Sequence, residues 1–174
     1  MVPRVNYAVL TGTTPWGAAP RPRPDLSAPS KQFVASIATL RVSLAGASDD
    51  LRRTTIYSVL LNDILAELLL ALRLHSISMD EFAALGLDSG SEGYVRFLEQ
   101  MPSVRVNAHL YAQWLKNPQL PVSENDLNDW YYVGTAVAYA DVVVTERHFA
   151  HMVNSGNLVK KAVVIFDLTK LPAA

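Results

Sequence analysis

The sequence predicts a three-layer α/β domain in which a short parallel sheet follows a helix-rich N-terminal half. Two observations predict this class. From residue 31 onward, apolar side chains recur at helical spacing over most of the chain, and two short β-branched runs, DVVVT and AVVIF, then appear near its end. A single helix-like segment joins these runs. They should therefore form a βαβ unit with parallel, buried strands.

Composition limits the class of protein. Half of the 174 residues are apolar and the net charge is −1, which suits one packed domain and argues against generic coating of nucleic acid. The proline-rich residues 1–30 should form a flexible arm, and residues 31–174 a single domain. There are no cysteines, which excludes disulfides and fits a reducing, cytoplasmic location.

No membrane association is expected from the sequence. The most apolar segment, from Leu65 to Leu74, is interrupted by Glu67 and Arg73 and is shorter than the roughly 18 uninterrupted residues that a span needs. The chain also lacks a basic segment followed by an apolar one at its start, so we expect no secretory signal.

The N-terminal half should contain four helices. The first begins at Lys31 and carries Phe33, Ile37, Leu40 and Leu44 on one face. The second begins after the N-cap Ser48, runs for about 25 residues and should be the central, largely buried helix. SMDEFAALGL, ended by Gly86, and SEGYVRFLEQM predict two short helices.

The C-terminal half should begin with a helix opened by Pro102 and ended at Asn117 and Pro118. SENDLNDWYYVGTAVAYA predicts the next helix, with Ser123 as its N-cap and three acids in its first turn. DVVVT is then a strand, ERHFAHMVNSG a helix closed by Gly156, and AVVIF a second strand.

The geometry of this last part brings acidic side chains together. A helix over residues 125–139 is about 20 Å long, and a strand that follows it directly must return along it. Asp126 and Asp129 share a helix face, while Thr145 and Glu146 emerge at the carboxyl end of the strand, where ligands bind in open α/β sheets. Asp141, at the other end of the strand, should lie too far away to join them.

Clustered carboxylates without nearby lysines repel one another, and a hard cation usually offsets that repulsion. Oxygen ligands suit Mg²⁺ or Mn²⁺, which can activate water for phosphodiester cleavage. A simpler interpretation is also open. Asp126 and Asp129 would then only favour the helix dipole, and Thr145 would be an N-cap.

The segments NDLNDW, AYADVVVTERHFAHMV and AVVIFDL resemble the C-terminal half of a PIN-like domain, and the preceding MPSVRVNAHLYAQWLKNPQLPVSENDLND resembles a lead-in found in a bacterial group of that family. The resemblance covers about residues 79–170. It implies a Mg²⁺- or Mn²⁺-dependent ribonuclease, either a toxin-type or an RNA-processing enzyme, with RNA as substrate and an antitoxin-like protein partner. In it, Asp129 matches the helix Asp and Asp126 a neighbouring helper, while Thr145 and Glu146 match the pair at the strand end.

The sequence departs from the family at its start. Family members begin with a strand that carries an Asp, but the first strand-like run here, NYAVLTGT, contains no acid. Either the family's first strand is missing or another residue substitutes, for which Asp63 and Glu67 are candidates. The alternative function is therefore a non-catalytic PIN-like binding or regulatory module.

Other side chains allow weaker interpretations. His148 could contact a phosphate or a metal-bound water, but an isolated surface histidine is the more common case, and His151 lies one turn further on. Basic residues could contact the RNA backbone, although such residues are more often simply solvated: Arg147, Lys160 and Lys161. Aromatic residues could stack on bases, although at helical spacing they more often belong to the core: Trp114, Trp130, Tyr131 and Tyr132. The leucine-rich helices also favour a homodimer.

Overall fold

The computed structural model of the protein describes residues 27–84, 90–167 and 169. These residues are mostly helical and include a two-stranded parallel sheet, in agreement with the broad α/β prediction. In chain order, the elements are α1 (Ser27–Ser43), α2 (Asp49–Leu74), α3 (Met79–Ala83), α4 (Ser91–Glu99), α5 (Pro102–Lys116), α6 (Asp126–Tyr139), β1 (Val142–Val144), α7 (Arg147–Asn154) and β2 (Val163–Ile165). The run NYAVLTGT, most of the predicted arm and Gly86 lie outside the described residues.

Helix α1 begins at Ser27, inside the segment predicted as an arm. Its apolar stripe is in the core as predicted, with Phe33, Ile37 and Leu44 buried. The Arg41 side chain extends from this helix to the end of α5, where its guanidinium donates to the carbonyls of Trp114, Asn117 and Leu120 at 3.0, 3.3 and 2.7 Å. Arg41 therefore satisfies carbonyls that the end of a helix leaves without intrahelical partners.

Helix α2 begins as predicted, because the Ser48 hydroxyl accepts a hydrogen bond from the Leu51 amide. The expectation that this helix is largely buried is wrong. Its first half packs against α4 and α5, but its second half exposes apolar side chains, including Leu70 at 58% and Leu74 at 73%. By length and composition alone α2 could cross a membrane, a test that core helices of soluble proteins also pass.

Side-chain contacts join α3 to α4 and α4 to α2. Ser78 and Glu81 form a reciprocal capping box at the start of α3. Phe82 of α3 packs edge-on against Phe97 of α4, with ring centroids 5.1 Å apart. Arg53 of α2 forms ion pairs of 3.0 Å with both Glu92 and Glu99 of α4, which fixes the angle between these helices.

The centre of the core lies between α1, α5 and α6, where four aromatic rings meet: Phe33, Tyr111, Trp114 and Trp130. The contact between α5 and α6 is closest at Gly134. A Cβ atom at that position would overlap the side-chain oxygen of Asn107. The absence of a side chain at Gly134 therefore allows the two helices to approach each other.

The two strands pair in parallel, with Val142 opposite Val163 and Val144 opposite Ile165, so the predicted βαβ unit is confirmed. The prediction that the strands are buried is wrong for one face. Val143 and Val164 are buried, but Val142, Val144 and Val163 are exposed. The described helices cover only the face that carries the two buried valines.

Replacement of Arg41 by Met should lower the free energy of unfolding by about 2 kcal/mol, because it removes charge-assisted hydrogen bonds to three carbonyls while keeping most of the apolar stem. Urea denaturation measures the change. Lys31→Met on the exposed side of the same helix is the matched control, and we expect it to stay within about 0.5 kcal/mol of the wild type. Equal stability of the two variants would contradict the role given to Arg41.

Candidate functional site

The beginning of α6 lies beside the beginning of α7, and Asp126 stands at this meeting point. The helix begins at Asp126 after Asn125, so the prediction of Ser123 as the N-cap is wrong. Asp126 Oδ2 instead accepts a hydrogen bond of 2.6 Å from the Ser123 backbone amide. The carboxylate is 7% exposed and is held by the loop that precedes its own helix.

His148, in the first turn of α7, lies between two carboxylates. Its Nε2 is 3.2 Å from Asp126 Oδ1, and its Nδ1 is 3.4 Å from Glu146 Oε2. The ring also packs at 4.3 Å, centroid to centroid, on the buried ring of Phe149. His148 is therefore held in place by polar contacts with two carboxylates and by ring packing, and it is not the isolated surface histidine that the sequence favoured.

Asp129 completes the cluster. Burial raises the pKa of its carboxyl group, and the negative charges of Glu146 and Asp126 raise it further, while His148 opposes them. The structure thus brings together the three acids that the sequence placed near one another. Their mutual repulsion is the electrostatic condition under which a bound cation would be stabilised.

Thr145 lies at the carboxyl end of β1, where its backbone amide donates to the Ile165 carbonyl at 3.0 Å. The N-cap position of α7 belongs to Glu146, so the simpler interpretation of Thr145 as an N-cap is wrong. Asp141 forms an ion pair with Lys161 at the opposite end of the strand. It does not join the cluster, as predicted.

Asp63 and Glu67, the two candidates for the missing acid, do not join the cluster either. Burial raises the pKa of Tyr131, and the charges of Asp63 and Glu67 raise it further. Tyr131 and Asp129 are two positions apart on α6 and so point about 200° apart around the helix. The two acids of α2 therefore act on a different side of α6.

The acidic cluster has some, but not all, features of a magnesium site. Within the described ranges, no three His, Asp or Glu side chains form a ready group of metal ligands. Asp126 is already engaged by Ser123 and His148, which leaves Asp129 and Glu146 as the freer oxygen donors. Mg²⁺ is commonly bound through one or two carboxylates, its own waters and substrate phosphates, so two carboxylates are a sufficient number of protein donors for such an ion.

Comparisons with protein-family models, curated proteins and solved structures found no match to this chain. What the protein does must therefore be inferred from its own residues. The acidic cluster is the first basis for that inference, because it combines converging carboxylates, a fixed histidine and the carboxyl end of a parallel strand.

Most of the RNA-contacting side chains considered above have other partners. Trp114 is fully buried and Trp130 is 1% exposed, so neither can stack on a base. The Arg147 guanidinium lies 5.4 Å from the ring centre of Phe166. Tyr131 and Tyr132 are exposed and remain available on the surface of α6.

Sequence reasoning missed a set of basic residues on α5. Arg105, His109 and Lys116 face one cleft, although they were not singled out from the sequence. Their separations of four and seven positions place them on one side of a helix. That spacing was the signal that could have identified them.

Asp129→Asn should raise the melting temperature of the metal-free protein by about 2 °C at pH 7, which corresponds to a stability gain of under about 1 kcal/mol. The pKa of Asp129 is raised in the folded state, so its ionisation costs stability at neutral pH. The difference should shrink as the pH falls through the raised pKa of Asp129 and vanish below about 4, the normal pKa of an unfolded Asp, where both chains carry a neutral side chain in either state.

Calorimetric melts at several pH values test this expectation. Asp141→Asn is the control, because it removes an exposed carboxylate that is paired with Lys161. The control should give no rise in melting temperature. A lower melting temperature for Asp129→Asn at pH 7 would mean that its carboxylate stabilises the fold.

Proposed function

We propose that the chain is a PIN-like, Mg²⁺- or Mn²⁺-dependent ribonuclease that hydrolyses RNA phosphodiester bonds. The observation that supports this function best is the convergence of Asp126, Asp129 and Glu146 at the carboxyl end of β1, where Asp129 is influenced by both other charges. The proposal also rests on the resemblance of residues 79–170 to that family.

Each residue of the cluster has a role in this proposal. Asp129 and Glu146 hold the ion, and Asp126 completes the acidic set while keeping His148 in position. A bound Mg²⁺ or Mn²⁺ would lower the pKa of water and offset the charge of the scissile phosphate. The Thr145 hydroxyl, next to Glu146 at the strand end, orients water or a phosphate oxygen.

In this proposal, His148 is the general acid–base group of the cluster. Its Nε2 faces Asp126 and its Nδ1 faces Glu146, so the ring can donate to one carboxylate while accepting or releasing a proton near the other. General acid–base groups must lie within hydrogen-bonding reach of the proton that they transfer. The position of His148 beside Glu146 would bring its ring near a phosphate bound through a metal ion at that carboxylate.

Several broader features belong to the same proposal. The domain would be a three-layer PIN-like fold, the location cytoplasmic, and the partners RNA and an antitoxin-like protein. A homodimer is supported by the exposed Leu70 and Leu74 on the second half of α2, since apolar surface of that kind is often covered by another chain.

A second function, a non-catalytic PIN-like binding or regulatory module, is favoured by one specific observation. In the part of the chain that the structure describes, the cluster offers no complete group of three ligands, and the run NYAVLTGT carries no acid. A cation would then bind weakly and turnover would be lost, while the scaffold would remain.

Calorimetric titration with Mn²⁺ and cleavage of a fluorophore-labelled single-stranded RNA separate these functions. The wild type should bind Mn²⁺ and cleave only in its presence. Asp129→Asn should lose metal binding and reduce cleavage by more than about 100-fold, since loss of a direct ligand should cost more than the roughly 10–100-fold that loss of an outer-shell partner costs. Asp141→Asn should behave like the wild type.

The titration and the cleavage assay together distinguish the ribonuclease from the non-catalytic module. Metal binding that depends on Asp129, without any cleavage, would replace the ribonuclease with the non-catalytic module. The absence of binding at millimolar Mn²⁺ would overturn the metal site, and with it the proposed chemistry. Cleavage that persists in Asp129→Asn would point to a contaminating nuclease or to a different active site.

A further inference from the structure

A second site lies along the side of α5, away from the acidic cluster. An open cleft of about 480 Å³ is bounded by the first turns of α2, by Glu99 at the end of α4, by α5 and by residues 157–159 after α7. Its volume falls within the range of about 300–1,000 Å³ that is usual for ligand sites. None of its lining residues belongs to the acidic cluster.

The cleft combines an apolar floor with a cationic rim. The floor is formed by Ile56, Ala108, Ala112, Leu115 and Leu158. The rim carries Arg52, Arg53, Arg105 and Lys116, together with His109, against the two carboxylates of Asp49 and Glu99. Flat apolar groups would fit the floor and negative charges the rim, a combination that nucleotides possess.

Some of the basic side chains of the rim are paired with carboxylates, and others are not. Arg53 is paired with Glu92 and Glu99, and Arg52 lies 3.7 Å from Asp49. The remaining two are the exposed residues Arg105, which donates to the Val159 carbonyl at 3.3 Å, and Lys116. Among the described residues, neither has a carboxylate within ion-pair distance. These two charges are therefore available to a ligand.

The spacing of Arg105 and Lys116 indicates an extended ligand. They are eleven positions apart on α5 and so about 16 Å apart along the helix axis. A single phosphate cannot reach both, whereas a strand with regularly repeated negative charges can. The cleft is open to solvent along this length, which suits a chain that enters and leaves it.

The orientation of α5 relative to α7 indicates which end of the cleft lies nearer to the acidic cluster. His109 Nε2 is 2.8 Å from the Met152 carbonyl near the end of α7, and the Trp114 ring lies 6.0 Å from the Phe149 ring near its beginning. Helix α5 therefore runs antiparallel to α7. Its Lys116 end lies toward the beginning of α7, where Glu146 and His148 are located.

We propose that this cleft binds the backbone of a single-stranded nucleic acid, with phosphates at Arg105 and Lys116 and bases on the apolar floor between them. The direction of the strand, from Arg105 past Lys116 toward the acidic cluster, rests on the proposed ribonuclease function. The binding itself does not require metal or turnover, because it uses none of the acidic residues.

Fluorescence anisotropy with a labelled eight-nucleotide single-stranded RNA in EDTA tests the site directly. The double variant Arg105→Gln/Lys116→Gln should weaken binding at least tenfold. It should also reduce the slope of log affinity against log salt by about 1.4, since each phosphate contact on a single strand contributes about 0.7. Lys31→Gln/Arg73→Gln removes the same charge outside the cleft and should stay within about twofold of the wild type.

Several outcomes would overturn the site. These are an absence of binding by the wild type, an equal loss in both double variants, or unchanged binding by Arg105→Gln/Lys116→Gln with a wild-type melting curve. Competition by adenosine monophosphate or by polyglutamate as strong as that by the RNA would also overturn it, since the ligand would then be a mononucleotide or a general polyanion.

Asp129→Asn separates this inference from the proposed function. In EDTA this variant should bind the RNA no more weakly than the wild type does, because it removes no residue of the cleft and takes away a negative charge that repels phosphates. Normal binding together with absent metal-dependent cleavage in the wild type would retain the cleft and remove the ribonuclease. Cleavage that depends on Asp129, together with unchanged binding by the double cleft variant, would retain the ribonuclease and remove the cleft.

Discussion

The close packing of α6 against α5 is the constraint on which the rest of the structure depends. Gly134 allows the two helices to approach at Asn107, and Trp130 places its ring against those of Phe33 and Tyr111 in the centre of the core. With α6 held along α5, the chain that leaves α6 must return through β1 before α7 begins. That return brings Glu146 and His148 back to Asp126, so the acidic cluster follows from the helix packing.

The same packing separates opposite charges. The acidic cluster occupies the junction of α6 and α7, and the unneutralised cations line the cleft on another side of α5. Carboxylates that repel one another cost folding stability, and such a cost is common where a site is arranged for binding or chemistry. In the proposed function, the acidic cluster would hold a cation and the cleft would bind a polyanion, a combination that suits a metal-dependent nuclease.

The sequence predictions that succeeded depend on local signals. The stripe of Phe33, Ile37 and Leu44, the cap at Ser48 and the start at Pro102 depend on residues near in sequence, and two β-branched runs joined by one helix left few topologies open. The sequence predictions that failed concern features that are determined by tertiary contacts. The periodicity of α2 could not show that its second half leaves Leu70 and Leu74 exposed. Spacing alone could not predict that His148 lies beside Asp126 or that the charges of Asp63 and Glu67 act on Tyr131. The cleft was missed because its walls come from four separate segments.

Anomalous diffraction from crystals of the full chain soaked in Mn²⁺ would test the central claim most directly, since it locates the ion without reference to activity. We predict one strong peak between the carboxylates of Asp129 and Glu146, with Asp126 still bonded to the Ser123 amide. A fully occupied peak elsewhere, or no peak at millimolar Mn²⁺ with the three acids ordered as described here, would contradict the assignment of this cluster as a metal centre.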